Sequence, residues 1–468
     1  MKKEITSLLF VGAAVTAAQA AEPERPNFVL FIADDCSYTD LGCYGGENVS
    51  TPRIDQFAKE GILFEKGYQA APMSSPTRHN LFTGIWPVKS GAYPNHTHCN
   101  RGVQSVVHHL RPLGYKVALI GKKHIGNDAT FPFDLYAMPA DGGDINYEAI
   151  NKFIDECVAN GDPYCLFVTS NQPHAPWNKG DVAKIDADKL KLPPYYVDCQ
   201  QTRSEYRNYL AEVNYMDSEF GNVLDMLEEK DQTDKSVVVY LSEQGSGLPF
   251  AKWTCYDVGV HSAYIVRWPD KIKPNTTSDA IVEYVDITPT FVDIAGGELV
   301  SPVDGKSIKD VLLGKSKSHK KYTYSLQTTR GVNDGSKHYG IRSVADSRYR
   351  YIRNLTPEVA FKNGLTSSAL FDAWHAAADA GDAKAKTLVH NYQYRPAEEL
   401  YDLDNDPHCM NNLIDSPKLK SKRTELSNAL ATWMQECGDE GQQTEMDAYY
   451  HVNEGVKRKI EAIDRATK

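Results

Sequence analysis

Residues 27–33 form a run that is apolar after its first position and stops abruptly at Asp34-Asp35. Similar short apolar runs recur at 117–120, 164–168, 237–241 and 263–266. Runs this short and apolar throughout predict strands buried on both faces. Between them lie helical patterns. The clearest is 204–229, where Tyr206, Leu210, Val213, Phe220, Leu224 and Leu227 fall on one stripe of 3.6-residue period. Strands alternating with helices predict an α/β fold, with a large, mainly parallel sheet flanked by helices on both faces. The pattern changes near residue 315. Residues 315–321 are basic and polar and predict a linker. Beyond them, 322–327 and 348–352 alternate as strands, and 419–436 reads as a helix. The expected organisation is a large N-terminal domain over 21–315 and a smaller C-terminal α+β subdomain with an antiparallel sheet over 316–468.

The first twenty residues stand apart. Lys2 and Lys3 precede an apolar stretch from Leu8 to Val15, and Ala18-Gln19-Ala20 fits a small-x-small cleavage site. Residues 1–20 therefore read as a signal peptide of an exported, periplasmic protein. No cysteine marks a lipid anchor, and no later segment carries the roughly 18 apolar residues of a membrane span. The net charge of −11 argues against broad nucleic-acid binding, which needs a basic surface. A polyanionic substrate would require a local cationic pocket. The nine cysteines lack metal-ligand spacing. In an exported chain some are expected to pair, for example Cys36 with Cys43.

In parallel α/β sheets, ligand sites collect at the carboxyl ends of the strands. Four predicted strand ends carry polar groups here: Asp34-Asp35, Lys122 with His124, His174, and Glu243-Gln244. A fifth element joins them. Ser74-Ser75-Pro76-Thr77-Arg78 follows a predicted strand at 63–68 and opens a predicted helix that ends at Gly84. Pro76 suits a first helical turn. Ser74 would sit at a helix N-terminus, which favours anions, with Arg78 one turn on. Taken singly, each feature has a second reading: a plain Ser-Pro helix start, an exposed acidic turn, a helix-capping loop at Glu243, a solvated Lys-Lys pair, a structural histidine.

The segment Ser74–Arg78 matches the Cys/Ser-x-Pro-x-Arg signature of the sulfatases. The resemblance continues through Pro26-Asn27, Asp34-Asp35, Gly121-Lys122-Lys123-His124, Pro173-His174-Ala175-Pro176 and Leu400-Tyr401-Asp402-Leu403-Asp404-Asn405-Asp406-Pro407. The chain is similar to the serine-type bacterial members, in which the first signature residue is oxidised to formylglycine. Gly121–His124 followed by Phe131-Pro132-Phe133-Asp134, and Gly340-Ile341-Arg342-Ser343-Val344, are most similar to the heparan N-sulfatase branch. The resemblance implies an alkaline-phosphatase-like sulfatase fold. It implies Ca²⁺ (or Mg²⁺) on Asp34, Asp35, Ser74, Glu243 and Gln244. It makes Lys122 and Lys252 sulfate ligands, and Ser74, Arg78, His124 and His174 catalytic. One departure stands out: the family has Asp followed by Asn or His before Gly245, and this chain has Glu243-Gln244.

The implied chemistry is attack on sulfur by a hydroxyl of the hydrated aldehyde, with the metal and cationic side chains holding the sulfuryl group. His174 protonates the leaving atom, and His124 assists release of sulfate. The implied partners are a sulfated oligosaccharide and a maturase that oxidises Ser74. The substrate leaning is N-sulfoglucosamine at a heparan chain end, with an O-sulfated hexose of mucin or algal glycans as the alternative. A phosphoester or phosphonate hydrolase and a non-catalytic glycan-binding protein remain competing readings. The sugar-reading residues are expected within 85–99 and, in the second domain, near 392–395.

Overall fold

The computed structural model describes residues 25–466; the segment 1–20, expected to be a signal peptide, lies outside the described residues. Fourteen strands follow the chain: β1 Asn27–Asp34, β2 Ile62–Phe64, β3 Gly67–Tyr68, β4 Lys116–Gly121, β5 Leu135–Ala137, β6 Tyr164–Thr169, β7 Ser236–Glu243, β8 Tyr264–Arg267, β9 Thr276–Ser278, β10 Val282–Glu283, β11 Thr323–Thr328, β12 Gly340–Ala345, β13 Tyr349–Asn354 and β14 Glu398–Asp402. Eight of them form one sheet in the order β5-β4-β6-β1-β7-β8-β2-β9. The five strands from β5 to β7 are mutually parallel; β8 runs against both its neighbours. This is the expected sheet.

Strand β1 shows why the apolar runs are continuous. Val29, Phe31 and Ala33 enter one core with Phe220 and Val223 of the long helix Gln200–Glu229. Phe28, Leu30 and Ile32 enter the opposite core with Leu81, Phe82 and Phe291. Both faces are covered, so no polar position survives between Asn27 and Asp34 at its two ends. The long helix begins four residues before its predicted start, because its first turn, Gln200-Gln201-Thr202-Arg203, carries no apolar stripe. The strand expected at 63–68 splits in two: β2 stays in the large sheet, and β3 leaves it to pair with β10.

The C-terminal strands form an antiparallel sheet in the order β11-β12-β13-β14. One face (Leu326, Val344, Tyr351, Leu400) packs on Leu426, Leu430 and Trp433 of the helix Lys420–Cys437. The other face (Ile341, Ile352, Tyr401) shares the first core with Phe250 and Tyr256. Polar groups clamp the two sheets. Leu326 N donates to Ala70 O at 2.9 Å, Ser325 Oγ donates to Gln69 O at 2.9 Å, and Arg350 Nη2 donates to buried Asp257 at 2.9 Å.

Three expectations are corrected. Residues 315–321 are not a solvated linker throughout: Lys320 is largely buried, 2.6 Å from Glu283 and 2.8 Å from Asp286. Their sequence looks polar because the partners lie far back in the chain. Tyr392 and Arg395 are not surface residues poised to read a sugar. Tyr392 is buried, and the buried Arg395 guanidinium stacks over Phe361 at 4.3 Å and Tyr256 at 5.0 Å. All nine cysteines are free, Cys36 and Cys43 included.

Removing one member of a buried ion pair leaves the others uncompensated, which costs about 3–5 kcal/mol. Lys320→Ala should therefore lower stability by about 3 kcal/mol, read as a shift of the urea midpoint. A loss below about 1 kcal/mol would mean that Glu283 and Asp286 are adequately solvated without it.

Candidate active site

The four predicted site strands β4, β6, β1 and β7 are consecutive in the sheet, and their ends are in register. Asp34 pairs with Glu243, Ile32 with Thr169, and Gly121 with Thr169. Gly121 is required there. Its φ is +117°, and a Cβ would lie 2.0 Å from Thr169 O. Past the strand ends the chain segments lock together: Asp34 N donates to Gln172 O (2.8 Å), Lys122 N to Thr169 O (2.9 Å) and Cys36 N to Glu243 O (3.2 Å). Asp35, His124 and Gln244 all take left-handed backbone, with φ of 59°, 46° and 38°. Non-glycine residues hold that conformation only when their surroundings impose it.

Ser74 opens the helix Ser74–Thr83 as expected, and every residue of that helix is buried. Gly84, in left-handed conformation, closes it by donating to Asn80 O at 2.9 Å. No side chain caps the N-terminus, so its positive end faces the strand edges. Ser74 Oγ donates to Asp34 Oδ1 at 3.1 Å. It receives Gln244 Nε2 at 3.0 Å and Lys122 Nζ at 3.5 Å. Lys122 Nζ also pairs with Asp34 Oδ2. Arg78, one turn along the helix and fully buried, takes both oxygens of Glu243 and donates to Lys122 O at 3.0 Å. Its Nη2 lies 3.7 Å from Asp34 Oδ1. Lys252 Nζ pairs with Asp35 Oδ2 at 2.6 Å, and Gln244 Nε2 donates to Asp35 Oδ1 at 2.6 Å. His174 Nε2 lies 3.5 Å from Asp35 Oδ2, while its Nδ1 bonds Ala175 O at 2.6 Å.

Nine of the ten predicted residues thus form one contiguous network of hydrogen bonds and ion pairs. His124 adjoins it through the Lys122 loop. Lys123 turns away from the network and pairs with exposed Asp128 at 2.6 Å. Glu243 is turned to Arg78 rather than toward the Asp pair. Among the described residues no three His, Cys, Asp or Glu side chains gather in a metal-holding arrangement, because Asp34, Asp35 and Glu243 each face a cation. His261 stands behind the site, stacked on Tyr38 at 3.8 Å and 2.8 Å from Asp257.

Burial shapes the electrostatics. Asp34 is fully buried, which opposes its charge, yet Lys122, His174, Arg78 and Lys252 hold its carboxyl far below the usual carboxylate range. Glu243 lacks that surplus of cations, and burial pushes it up to about 7 despite Arg78. Burial, then Lys122 and His96, push the His124 imidazole well down.

Two histidines escaped sequence reading. His96 reaches His124, with Nδ1 3.0 Å from His124 Nε2. His79 stands one turn beyond Ser75 on the buried helix. Its Nδ1 bonds Ser75 O at 2.7 Å, and its Nε2 lies 2.9 Å from Gly126 O and 3.2 Å from Gly126 N. It therefore ties the helix to the loop that carries Lys122 and His124. No local motif marks either residue; each acts across a long sequence separation.

Comparison with known proteins shows the family. The sulfatase family model matches residues 26–297, and the model of the C-terminal region of N-sulphoglucosamine sulphohydrolase matches 246–362. An ulvan-active sulfatase of Formosa agariphila is 32% identical over 90% of this chain and 82% of its own length. Human N-sulphoglucosamine sulphohydrolase is 26% identical over 89% of this chain and 91% of its own. The N-acetylglucosamine-6-O-sulfatase of Bacteroides thetaiotaomicron is 25% identical over 92% and 91%. A protein solved in complex with its substrate D-glucosamine-2-N,6-O-disulfate superposes with a TM-score of 0.66 at 20% identity, covering 89% of this chain and 99% of that one.

The buried His79 ring also links stability to pH. Burial pushes its pKa down to about 4 from 6.5, so the folded ring stays neutral. Between these values the unfolded chain binds a proton that the folded chain refuses, and stability falls as pH drops from 6.5 to 4. Replacing His79 with Gln should remove about 3 kcal/mol of that pH dependence, measured as the difference between wild-type and variant urea midpoints across the window. Parallel curves for the two proteins would show that His79 is not held neutral.

Proposed function

The chain belongs to the sulfatase family and is an enzyme that removes sulfate from sulfated glycans, and we propose that its catalytic group is residue 74 after oxidation of Ser74 to formylglycine. The observation that carries this is the convergence on Ser74 Oγ of Asp34 Oδ1, Gln244 Nε2 and Lys122 Nζ at 3.1, 3.0 and 3.5 Å. A serine hydroxyl is a weak nucleophile unless a base takes its proton, and the carboxylate that accepts from it, Asp34, is held so far below the usual range that it is a poor base. The hydrated aldehyde supplies a hydroxyl whose attack on sulfur leaves a second one on the same carbon.

The donor set fits a hard divalent cation, Ca²⁺ or Mg²⁺. The Gln244 amide lies against Asp35 Oδ1 and against Ser74 Oγ, which is itself bonded to Asp34 Oδ1, and its Oε1 is buried without a hydrogen-bond partner among the described residues. Turning that amide over adds a fourth oxygen to the same small space. Glu243 adjoins the set through Arg78. A cation held by these groups would free Lys122 and Lys252 from Asp34 and Asp35 to hold the sulfate oxygens, with Arg78 and the helix N-terminus beside them. His174 is the proton donor to the leaving atom: its Nδ1 is fixed by Ala175 O, and its half-exposed ring presents Nε2 to the site. His124 handles the proton of the residue-74 hydroxyl. Export to the periplasm and a maturase acting on Ser74 belong to the same reading.

For the substrate we favour N-sulfoglucosamine at a chain end, supported by the match of residues 246–362 to the N-sulphoglucosamine sulphohydrolase C-terminal model. The 32% identity to an ulvan-active sulfatase supports an O-sulfated algal sugar as the second reading. Turnover of defined N- and O-sulfated saccharides separates the two, and an aryl phosphate control tests phosphoester hydrolysis.

Active enzyme should yield a residue-74 peptide lighter than the serine form by two hydrogens, and Ser74→Ala should lower turnover by at least about a thousandfold. Fully active protein with unmodified Ser74 refutes the assignment. Removal of divalent cations by chelation should abolish turnover, and added Ca²⁺ should restore it; unchanged activity after complete chelation would remove the metal from the account.

A further inference from the structure

His96 lies in the 85–99 segment, beyond the short helix Pro87–Ser90. Its ring meets that of His124 with centroids 4.8 Å apart and a tilt of 48°, joined by a single 3.0 Å contact between His96 Nδ1 and His124 Nε2. Both residues hold left-handed backbone, φ 56° at His96 and 46° at His124. Two non-glycine residues in that region, meeting ring to ring, show that the surrounding structure enforces the pairing.

The His96 loop is anchored from both sides. His96 O accepts from Asn453 N at 3.0 Å, Thr97 forms an antiparallel bridge with Val452, and Thr97 Oγ1 donates to His451 O at 2.8 Å. On the other side Thr97 N donates to Ser75 Oγ at 3.4 Å, beside the catalytic position. The C-terminal segment therefore holds His96 in place.

Burial and the nearby Lys122 hold both imidazoles below their usual range, so both rings are neutral. Two neutral imidazoles that share one contact must divide it into one donor and one acceptor. His124 Nδ1 is buried with no hydrogen-bond partner among the described residues, on a ring where the cations Lys122 and Arg78 outweigh the one nearby carboxylate, Asp34. Cations nearby favour a bare lone pair on that nitrogen over an N–H.

We propose that His96 is a positioning residue that accepts the Nε2–H of His124 and so fixes His124 in the tautomer with Nδ1 bare, ready to accept a proton. This rests on the reading of His124 as the group that handles the proton of the residue-74 hydroxyl. Without His96, the ring can turn or exchange tautomers, and Nδ1 no longer presents a fixed lone pair.

The test combines two measurements on the full chain. In ¹⁵N-histidine-labelled protein, the His124 Nδ1 resonance should fall in the unprotonated range and Nε2 in the protonated range. The opposite assignment overturns the proposal. This reading needs no turnover, so it stands apart from the success or failure of the sulfatase assignment. For kinetics, His96→Phe keeps a ring but no acceptor. It should lower kcat by about tenfold or more while KM stays within about twofold. His96→Asn keeps a hydrogen-bonding group, suits left-handed backbone, and should recover most of the loss. Wild-type kcat in His96→Phe, or a raised KM at unchanged kcat, overturns the proposal; the latter would make His96 a substrate contact.

Discussion

Three buried carboxylates meet three buried or part-buried cations at one edge of the sheet, and the rest of the molecule is arranged to make that encounter possible. Asp34, Asp35 and Glu243 stand at the ends of adjacent strands β1 and β7, and Lys122, Lys252 and Arg78 answer them. An isolated carboxylate in such a place would be too costly to keep ionised. Opposed charges and shared hydrogen bonds lower that cost without removing it. The cluster therefore adds little to stability, which fits the chemical role proposed for it. Its balance is close to neutral, and an added cation and an added anion can enter it together.

The scaffold supplies rigidity to hold this arrangement. Parallel strands buried on both faces bring four polar loops to one level, and the register of β4, β6, β1 and β7 leaves little freedom in how those loops meet. The wholly buried helix Ser74–Thr83 is fixed by packing against Phe167 and by its ties through His79. Sheet, helix and loops thus place groups from distant parts of the chain within hydrogen-bonding distance of one hydroxyl.

Much of this was legible in the sequence for a physical reason. A strand buried on both faces is apolar to its last residue, so the first polar residue after it marks both the strand end and the ligand-facing edge. That rule pointed to Asp34-Asp35 directly and to the loops that carry Lys122, His174 and Glu243-Gln244, while the family resemblance singled out those residues within their loops, together with Ser74 and Arg78. What stayed hidden depends on pairing between distant segments. Lys320 reads as linker until Glu283 and Asp286 are folded against it. The burial of Arg395 depends on Phe361 and Tyr256, which only the folded chain brings over it. His96 and His79 carry no local pattern, since their partners lie 28 and 47 positions away. The orientation of Glu243, toward Arg78 rather than the Asp pair, is likewise a property of the assembled charges.

The account's central claim is that this charge cluster is built to hold a tetrahedral sulfuryl group against residue 74. The most direct measurement is a crystal structure of the Ser74→Ala protein with Ca²⁺ and a sulfated monosaccharide. The account predicts the sulfate group lodged among Lys122, Lys252, His174 and position 74, with the cation on Asp34, Asp35 and Gln244. A sulfate group bound elsewhere, with Lys122 and Lys252 still paired to Asp34 and Asp35, would contradict it.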